Sequence, residues 1–516
     1  MAKAQKYRAS KQAYVSTNQL SLTGFETPFS RSLRRDNRWV VLAHKIPWDP
    51  LASVYRRQMG NDRTGAGGIN PRVALGALII KHICDLSDRE TIQQIQENMY
   101  MQYFIGYSGF CDEEPFDPSL FVGIRKRLGV EQINAINESI LGLSNATQNH
   151  DSPKEDDAVG KDSSSQDDSL SKGKSDNDEK PAPTHKGDLL MDATACPQDI
   201  AYPTDLNLLN DAREKSQELI DILHDFTLHG KKPRTYRQKA RKQYLQVAQK
   251  KRKSKKELRQ AIRRQLGYLG RNISYIHHLL DQYSCIPFTR GEYKYFLVIQ
   301  TLYDQQKTMH VERSHSIEHR IVSIHQPHVR PIVRGKTNAN VEFGAKIQVS
   351  MMNGYAFLDE FSWEAYNEGT KLMDSVEKYK SRFGFYPAQV MADKIFCNRV
   401  NRKRLKDLGI KLRAKPLGRP RAVKTEHVRP GERNPIEGKF GQAKTAYGMN
   451  RIKARLPDTS ESWIATVVLV LNLVKLAGAA PLTQIFRWLS FSAKGTMKMI
   501  DEIIESIVPK ILISRI

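Results

Sequence analysis

The chain predicts a mixed α/β sheet with helices packed on it, preceded by an all-α helical unit. Three observations lead there. Apolar residues recur at helical spacing from Pro71 onward. Two strand-like runs, 341–352 and 355–363, flank Asn353-Gly354, a dipeptide suited to a tight hairpin turn. Beyond that hairpin, helical and strand patterns alternate, the order that builds a sheet with flanking helices.

In the helical unit, Pro71 opens a run carrying Val73, Leu75, Ala77, Leu78, Ile79 and Ile83 on a helical repeat. Leu86-Ser87-Asp88-Arg89-Glu90 then supplies a cap and first-turn acids for a second helix with Ile92, Ile95 and Met99. A third helix starts near Pro118-Ser119 and carries Arg125, Lys126 and Arg127. Short helices ending in a basic one suit a helix-turn-helix-like DNA reader, against the plainer reading of a bundle with a solvated basic face.

From about His150 to Lys186 the chain is rich in Ser, Asp and Lys with almost no apolar residues, so it cannot bury enough surface to order itself. We read it as a disordered acidic linker. Past it, 188–196 reads as a short strand interrupted by one acid, and 205–225 as a helix. Residues 231–271 hold long basic runs with Tyr236, Tyr244 and Tyr268 among them, read as one or two inserted helices able to follow a phosphate backbone. The hairpin, a helix over 370–383, a strand ending at Asp393, a helix over 398–408, a strand over 410–414 and the helix around Glu437 complete the order. The domains expected are a helical DNA-binding unit at 1–146 and the linker at 147–187. A catalytic domain at 188–480 follows, with the insertion over about 210–335, and then a helical extension at 481–516.

With 516 residues, two to four domains can each have a core. A formal charge of +25 and a pI near 9.7 point to a polyanionic partner, nucleic acid first. The N-terminal residues lack an apolar core, so neither signal peptide nor anchor is read there, and a cytoplasmic place is expected. The run 463–480 approaches membrane-spanning length but carries Asn472 and Lys475, which favours a buried core helix and no membrane partner. Five scattered cysteines indicate neither a disulfide framework nor a zinc ribbon. His310, His315, His319, His325 and His328 include a pair four apart, but no H-E-x-x-H motif accompanies it.

The segment Arg433-Asn-Pro-Ile-Glu437-Gly-Lys-Phe-Gly-Gln-Ala-Lys444 places an acid between two cations on one helix face. Alone, such spacing equally describes a solvated surface pair. Asp192 sits within the first strand of the sheet domain, Asp393 at the end of a later one, and only a fold can unite them with Glu437. Two strand-borne acids and one helical acid meeting at a sheet edge would hold two divalent ions roughly 3.5–4 Å apart for in-line phosphoryl chemistry. Oxygen ligands and a phosphate substrate favour Mg2+, with Mn2+ as the usual substitute. Asp192 as a strand-end residue and Asp393 as a helix cap are the structural alternatives.

At these residues the chain resembles the DDE transposases of bacterial insertion sequences. LSDRETIQQIQENMYMQYFIGYS and FDPSLFVGIRKRLG resemble the N-terminal transposase domain, while MDAT, MADKIF and RNPIEGKFGQAKTAYGMNRI resemble the three acid motifs. Of the family's Y-x2-R-x3-E-x6-K pattern, Arg433, Glu437 and Lys444 match and Pro430 stands in the Tyr slot. The resemblance implies a ribonuclease-H-like catalytic domain in which Asp192, Asp393 and Glu437 are catalytic and bind two Mg2+. It also implies DNA contacts by Arg433, Lys444 and Lys439, besides Arg125, Lys126 and Arg127 of the helical unit. The implied partners are double-stranded DNA, as element terminal inverted repeats and target, and further copies of the chain in a homodimer or larger synapse at the bacterial nucleoid. The insertion lies after the first acid's strand, unlike relatives that place theirs before the glutamate, so the hairpin excision route is not carried over. A non-enzymatic DNA-binding derivative and a nuclease without strand transfer are the competing functions.

Overall fold

The computed structural model describes residues 32–59, 68–142, 185–333, 341–415 and 431–478. Most of the expected linker, the 481–516 extension and Pro430 lie outside the described residues.

The sheet is mixed, as expected of a ribonuclease-H-like fold. β1 (Asp188–Pro197) pairs antiparallel with β3 (Val341–Met352) on one side. On its other side β1 pairs in parallel with β5 (Gln389–Met391), and β5 in parallel with β6 (Lys411–Arg413). β4 (Tyr355–Ser362) and the short β2 (Arg330–Val333) share the far edge of β3. The β3–β4 turn has Asn353 at φ 50° and Gly354 at φ 79°, two consecutive positive values that an Asn-Gly pair accepts with little strain. β2 corrects the expected insertion boundary, because residues 330–333 are already sheet.

Seven helices among the described residues precede the sheet: α1 (Arg38–Lys45), α2 (Trp48–Arg57), α3 (Pro71–Cys84), α4 (Asp88–Glu97), α5 (Met99–Ile105), α6 (Leu120–Arg127) and α7 (Val130–Ile140). α3 starts with Asn70 accepting from the Arg72 N–H and ends at Asp85 in the left-handed region. Ser87 and Glu90 cap α4 reciprocally, as the sequence expected. Instead of showing one apolar stripe, α3 is buried from Pro71 to Ile83, on every face. It cannot be half of an exposed reading unit.

The burying partner is α16 (Pro457–Ala477), the long apolar helix of the sequence. It is long and apolar enough to cross a membrane, yet most of it is buried within the protein. α1, α3, α6 and α7 pack around it, and β4 lies against it. One hydrophobic core therefore runs from Trp39 and Leu78 through Val467 and Leu471 to Ile347 and Leu358. The helical unit expected over 1–146 shares its core with the sheet. Asn472, the polar residue in the apolar run, ties the layers together. Its Oδ1 accepts from the Ala356 N–H at 2.8 Å, and its Nδ2 donates to the Ala356 carbonyl at 2.7 Å and to Asn137 Oδ1 at 2.8 Å.

The opposite face of the sheet is covered by α13 (Leu372–Phe383) and α14 (Arg399–Asp407), with Leu189, Met191, Val376, Tyr379 and Leu405 in a second core. The insertion between β1 and β2 has a third core of its own. It contains α8 (Asp205–Leu223), α9 (Phe226–His229), α10 (Arg237–Ala248), α11 (Lys255–Leu280) and α12 (Arg290–Glu312), with α8, α11 and α12 supplying the apolar contacts. Arg213 lies fully buried there, its guanidinium donating to Asn210, Gln217, Gln265 and Glu214.

Asn472→Leu keeps the volume but strands the Ala356 amide and the Asn137 side chain in the core. A loss of about 3 kcal/mol is expected, read from the urea unfolding midpoint.

Candidate metal and nucleic-acid site

The site follows from strand register. Side chains alternate across a strand, so Leu190, Asp192 and Thr194 share one face of β1. Leu190 is paired with Met391 of the parallel β5, and two residues further along each chain come Asp192 and Asp393. Both acids thus emerge at the same end of adjacent strands and on one face. The strand itself stops at Met391, two residues earlier than expected, and Asp393 caps a 3-10 turn, its Oδ1 accepting from the Lys394 N–H at 2.7 Å.

α15 (Asn434–Ala446) lies over that face. Ile436, fully buried, packs with Leu190, Met351 and Met391, one step before the acids on each strand. This anchor sets the neighbouring Glu437 and, one turn earlier, Arg433 toward the acids. Asp192, Asp393, Arg433, Glu437, Phe440, Gly441 and Lys444 line a single cavity of about 650 Å³. The helix begins with Pro435 in its first turn and has Glu437 near its N-terminus and Lys444 in its last turn, each on the end its charge favours.

Arg433 sits between the strand acids. One guanidinium nitrogen lies 2.8 Å from Asp192 Oδ2 and another 3.5 Å from Asp393 Oδ1, while its buried Nε has no hydrogen-bond partner among the described residues. Asp192 Oδ1 also accepts from the Ala193 N–H at 2.9 Å. Burial raises the Asp192 carboxyl above its ordinary range, and Arg433 draws it part of the way back. Among the described residues, no three His, Cys, Asp or Glu side chains close round a single point. The donor set nonetheless suits a hard cation: carboxylate oxygens around one polar cavity, with a guanidinium already held between two of them.

Two further residues line the cavity that sequence reasoning missed. Lys346 of β3 is held 2.9 Å from Glu368, donates to the Tyr366 carbonyl at 2.8 Å and lies over the Tyr366 ring. Glu368 adds to the upward pressure on the Asp192 carboxyl. A lysine within the β3 strand run was the one available signal; Glu368 had none.

Other expected contacts are corrected. Arg125 is buried, its guanidinium bonded to both oxygens of Asp88 at 2.9 and 2.8 Å, so it braces α6 against α4 and is turned away from solvent. Lys126 and Arg127 are exposed beside it. Lys439 faces away from the cavity toward the Leu471 carbonyl of α16, and burial lowers its pKa. His315 and His319 lie in a turn region, not on a helix, and His319 pairs with Glu364 at 3.0 Å. The cysteines are all free thiols, two of them buried.

A family model described as "Transposase DDE domain" matches residues 390–474, spanning Asp393, Glu437 and most of α16. A second, "Transposase domain (DUF772)", matches residues 28–127. Each match is to a transposase domain, and together they leave more than half of the chain uncovered. Asp192 falls outside both matches, so its place in the site rests on its register beside Asp393. A relative named "Uncharacterized protein ORF8 in nfe locus", from Rhizobium meliloti, is 33% identical over 100 residues, 19% of this chain and 46% of that protein. The chain thus covers less than half of that relative's length. No solved structure matches.

Because folding raises the Asp192 pKa, the folded protein favours the neutral acid. That preference stabilises fully below the ordinary carboxylate range and is lost as pH rises through the raised value. Asp192→Asn is therefore expected to unfold at higher denaturant than the unsubstituted protein at pH 7, with the gap closing as pH falls below about 4.

Proposed function

We propose that this chain is a transposase that binds the terminal inverted repeats of an insertion sequence and catalyses Mg2+-dependent DNA cleavage and strand transfer. The observation that carries the reading is the meeting of Asp192, Asp393 and Glu437 at one cavity, bordered by Arg433 and Lys444. Asp192, Asp393 and Glu437 would hold two Mg2+ ions, with Mn2+ as substitute, and such a pair supplies charge stabilisation at the attacking and leaving oxygens of an in-line displacement.

The protein's own part is positional. Arg433 keeps the two strand acids close together without mutual repulsion, and α15 orients Glu437 from the opposite side. With the acids otherwise neutralised, Arg433 would be free to bind phosphate or terminal bases, two parallel N–H donors suiting a phosphate fork. Lys444, two helical turns beyond Glu437 on the same face, extends the cationic border along the bound strand. The 3′-hydroxyl freed by cleavage would attack a target phosphodiester, the new bond to phosphorus replacing that to the target strand's own 3′-oxygen, which leaves as a hydroxyl, with no covalent protein intermediate. Holding two ends at once calls for a homodimer or larger synapse, acting at the nucleoid in the cytoplasm.

Exposed cations on α10 and α11 support a second DNA contact: Lys239, Arg241, Lys242, Lys256, Arg263 and Arg264 all face solvent. The expected tyrosines play structural parts here. Tyr244 bonds Asn207, Tyr268 bonds Gln243, and Arg271 lies over Tyr236 and Tyr268 at 5.0 Å. Lys126 and Arg127 of α6 are proposed as backbone contacts from the N-terminal side.

Purified protein with a duplex bearing the element's ends is expected to give strand-specific nicks in Mg2+ and none in EDTA. Glu437→Ala should lose cutting by orders of magnitude while still shifting the duplex. Unaltered cutting removes Glu437 from the site, binding without any product in Mg2+ identifies a non-enzymatic binder, and cut ends never joined to target identify a hydrolytic nuclease.

Neutralising Lys239, Arg241, Lys242 and Arg264 is expected to flatten the salt dependence of DNA affinity by about 0.9 in log–log slope for each phosphate no longer neutralised. A slope unchanged from the unsubstituted protein would assign these residues to a solvated face.

A further inference from the structure

A second cavity, of about 380 Å³, opens in the insertion where the start of α11 meets the end of α12. Its volume falls within the range of small-molecule sites, roughly 300–1,000 Å³. It shares no residue with the acid-lined cavity.

Its lining divides into two kinds. Leu258 and Ile262 of α11 and Met309 of α12 form an apolar floor, while Lys255, Arg259 and Arg313 stand at the exposed rim. The single acid, Asp205, is already satisfied: its Oδ1 receives Arg320 at 2.6 Å and Gln306 at 2.9 Å. Among the described residues the three rim cations have no carboxylate partner, and the Arg259 guanidinium reaches only the His310 carbonyl at 3.4 Å. Lys255 is also the first residue of a 26-residue helix, whose capping acid Glu257 is already committed to Ser254 and Lys250. Burial first, then Arg259 and Arg263, hold the His310 pKa below its ordinary value.

Inorganic phosphate would satisfy the rim and leave the floor wet. An uncharged apolar ligand would cover the floor and desolvate three cations without return. We propose that this cavity is a nucleotide site, with the base on the Leu258, Ile262 and Met309 floor and the phosphate at Lys255, Arg259 and Arg313. The nucleotide is either free or one unit of a bound DNA strand, unstacked at this point. Binding here does not depend on the metal site.

The test uses the full chain in EDTA, titrated with deoxyadenosine monophosphate, deoxyadenosine and inorganic phosphate by ligand-observed NMR or calorimetry. The monophosphate is expected to bind at least tenfold more tightly than either fragment. Arg259→Ala should weaken it about tenfold. Lys307→Ala, which removes an exposed cation of α12 outside the cavity, should leave it unchanged. Both side chains are exposed, and circular dichroism checks that each variant folds. Asp192→Asn should bind the monophosphate normally, so failure here and failure of the cleavage reading are separate results. Competition by a single-stranded oligonucleotide assigns the site to strand-borne nucleotides; no competition assigns it to free ones. Equal binding of phosphate and monophosphate, or equal losses from the Arg259 and Lys307 substitutions, would overturn the proposal.

Discussion

The parallel pairing of Leu190 with Met391 is the constraint on which the rest of the site depends. It puts Asp192 and Asp393 side by side although the chain between them includes an insertion with its own core and a hairpin. A one-residue slip would turn one acid toward the α13 face and break the set. Ile436 extends the same constraint to the third acid, because the helix is pinned on Leu190, Met351 and Met391, the residues that define the pairing. Apolar packing thus fixes a polar arrangement that the acids themselves, repelling one another, would not adopt.

Arg433 shows how the fold tolerates that arrangement. Two carboxylates on neighbouring strands need a cation between them, and in the protein alone the guanidinium fills that role at 2.8 and 3.5 Å. The compensation is incomplete, since Asp192 is still pushed upward by burial. Burial of this acid is thus a net cost to folding at neutral pH.

Much of this was legible in residues. The cap at Ser87 and the strand, hairpin and helix order over 188–225 and 341–446 could be read because alternation, the Asn353-Gly354 turn and capping residues are local signals, whereas α12 and β2 were not read. Asp192, Asp393, Arg433, Glu437 and Lys444 were legible as a set through their motifs. Long-range partners were not. Nothing near Arg125 in the chain announces Asp88 as its partner, and Lys439 looks like its neighbours until α16 is placed beside it. Glu368 reaches the cavity only through the packing of the chain after β4, and the all-round burial of α3 reflects the docking of α16 from nearly four hundred residues away. Basic residues therefore sort into braces and contacts only once the core is known.

The core shared by the N-terminal helices, α16 and β4 has a geometric corollary. The Asn137–Asn472–Ala356 bonds clamp the first part of the chain to the sheet, and α6 packs on the same helix that α15 touches. Lys126 and Arg127 accordingly stand at a set bearing from Glu437, like two jaws of a caliper. On a duplex gripped by both, the offset in base pairs from the gripped point to the broken bond would be dictated by the dimensions of the protein, not by the span of a tether.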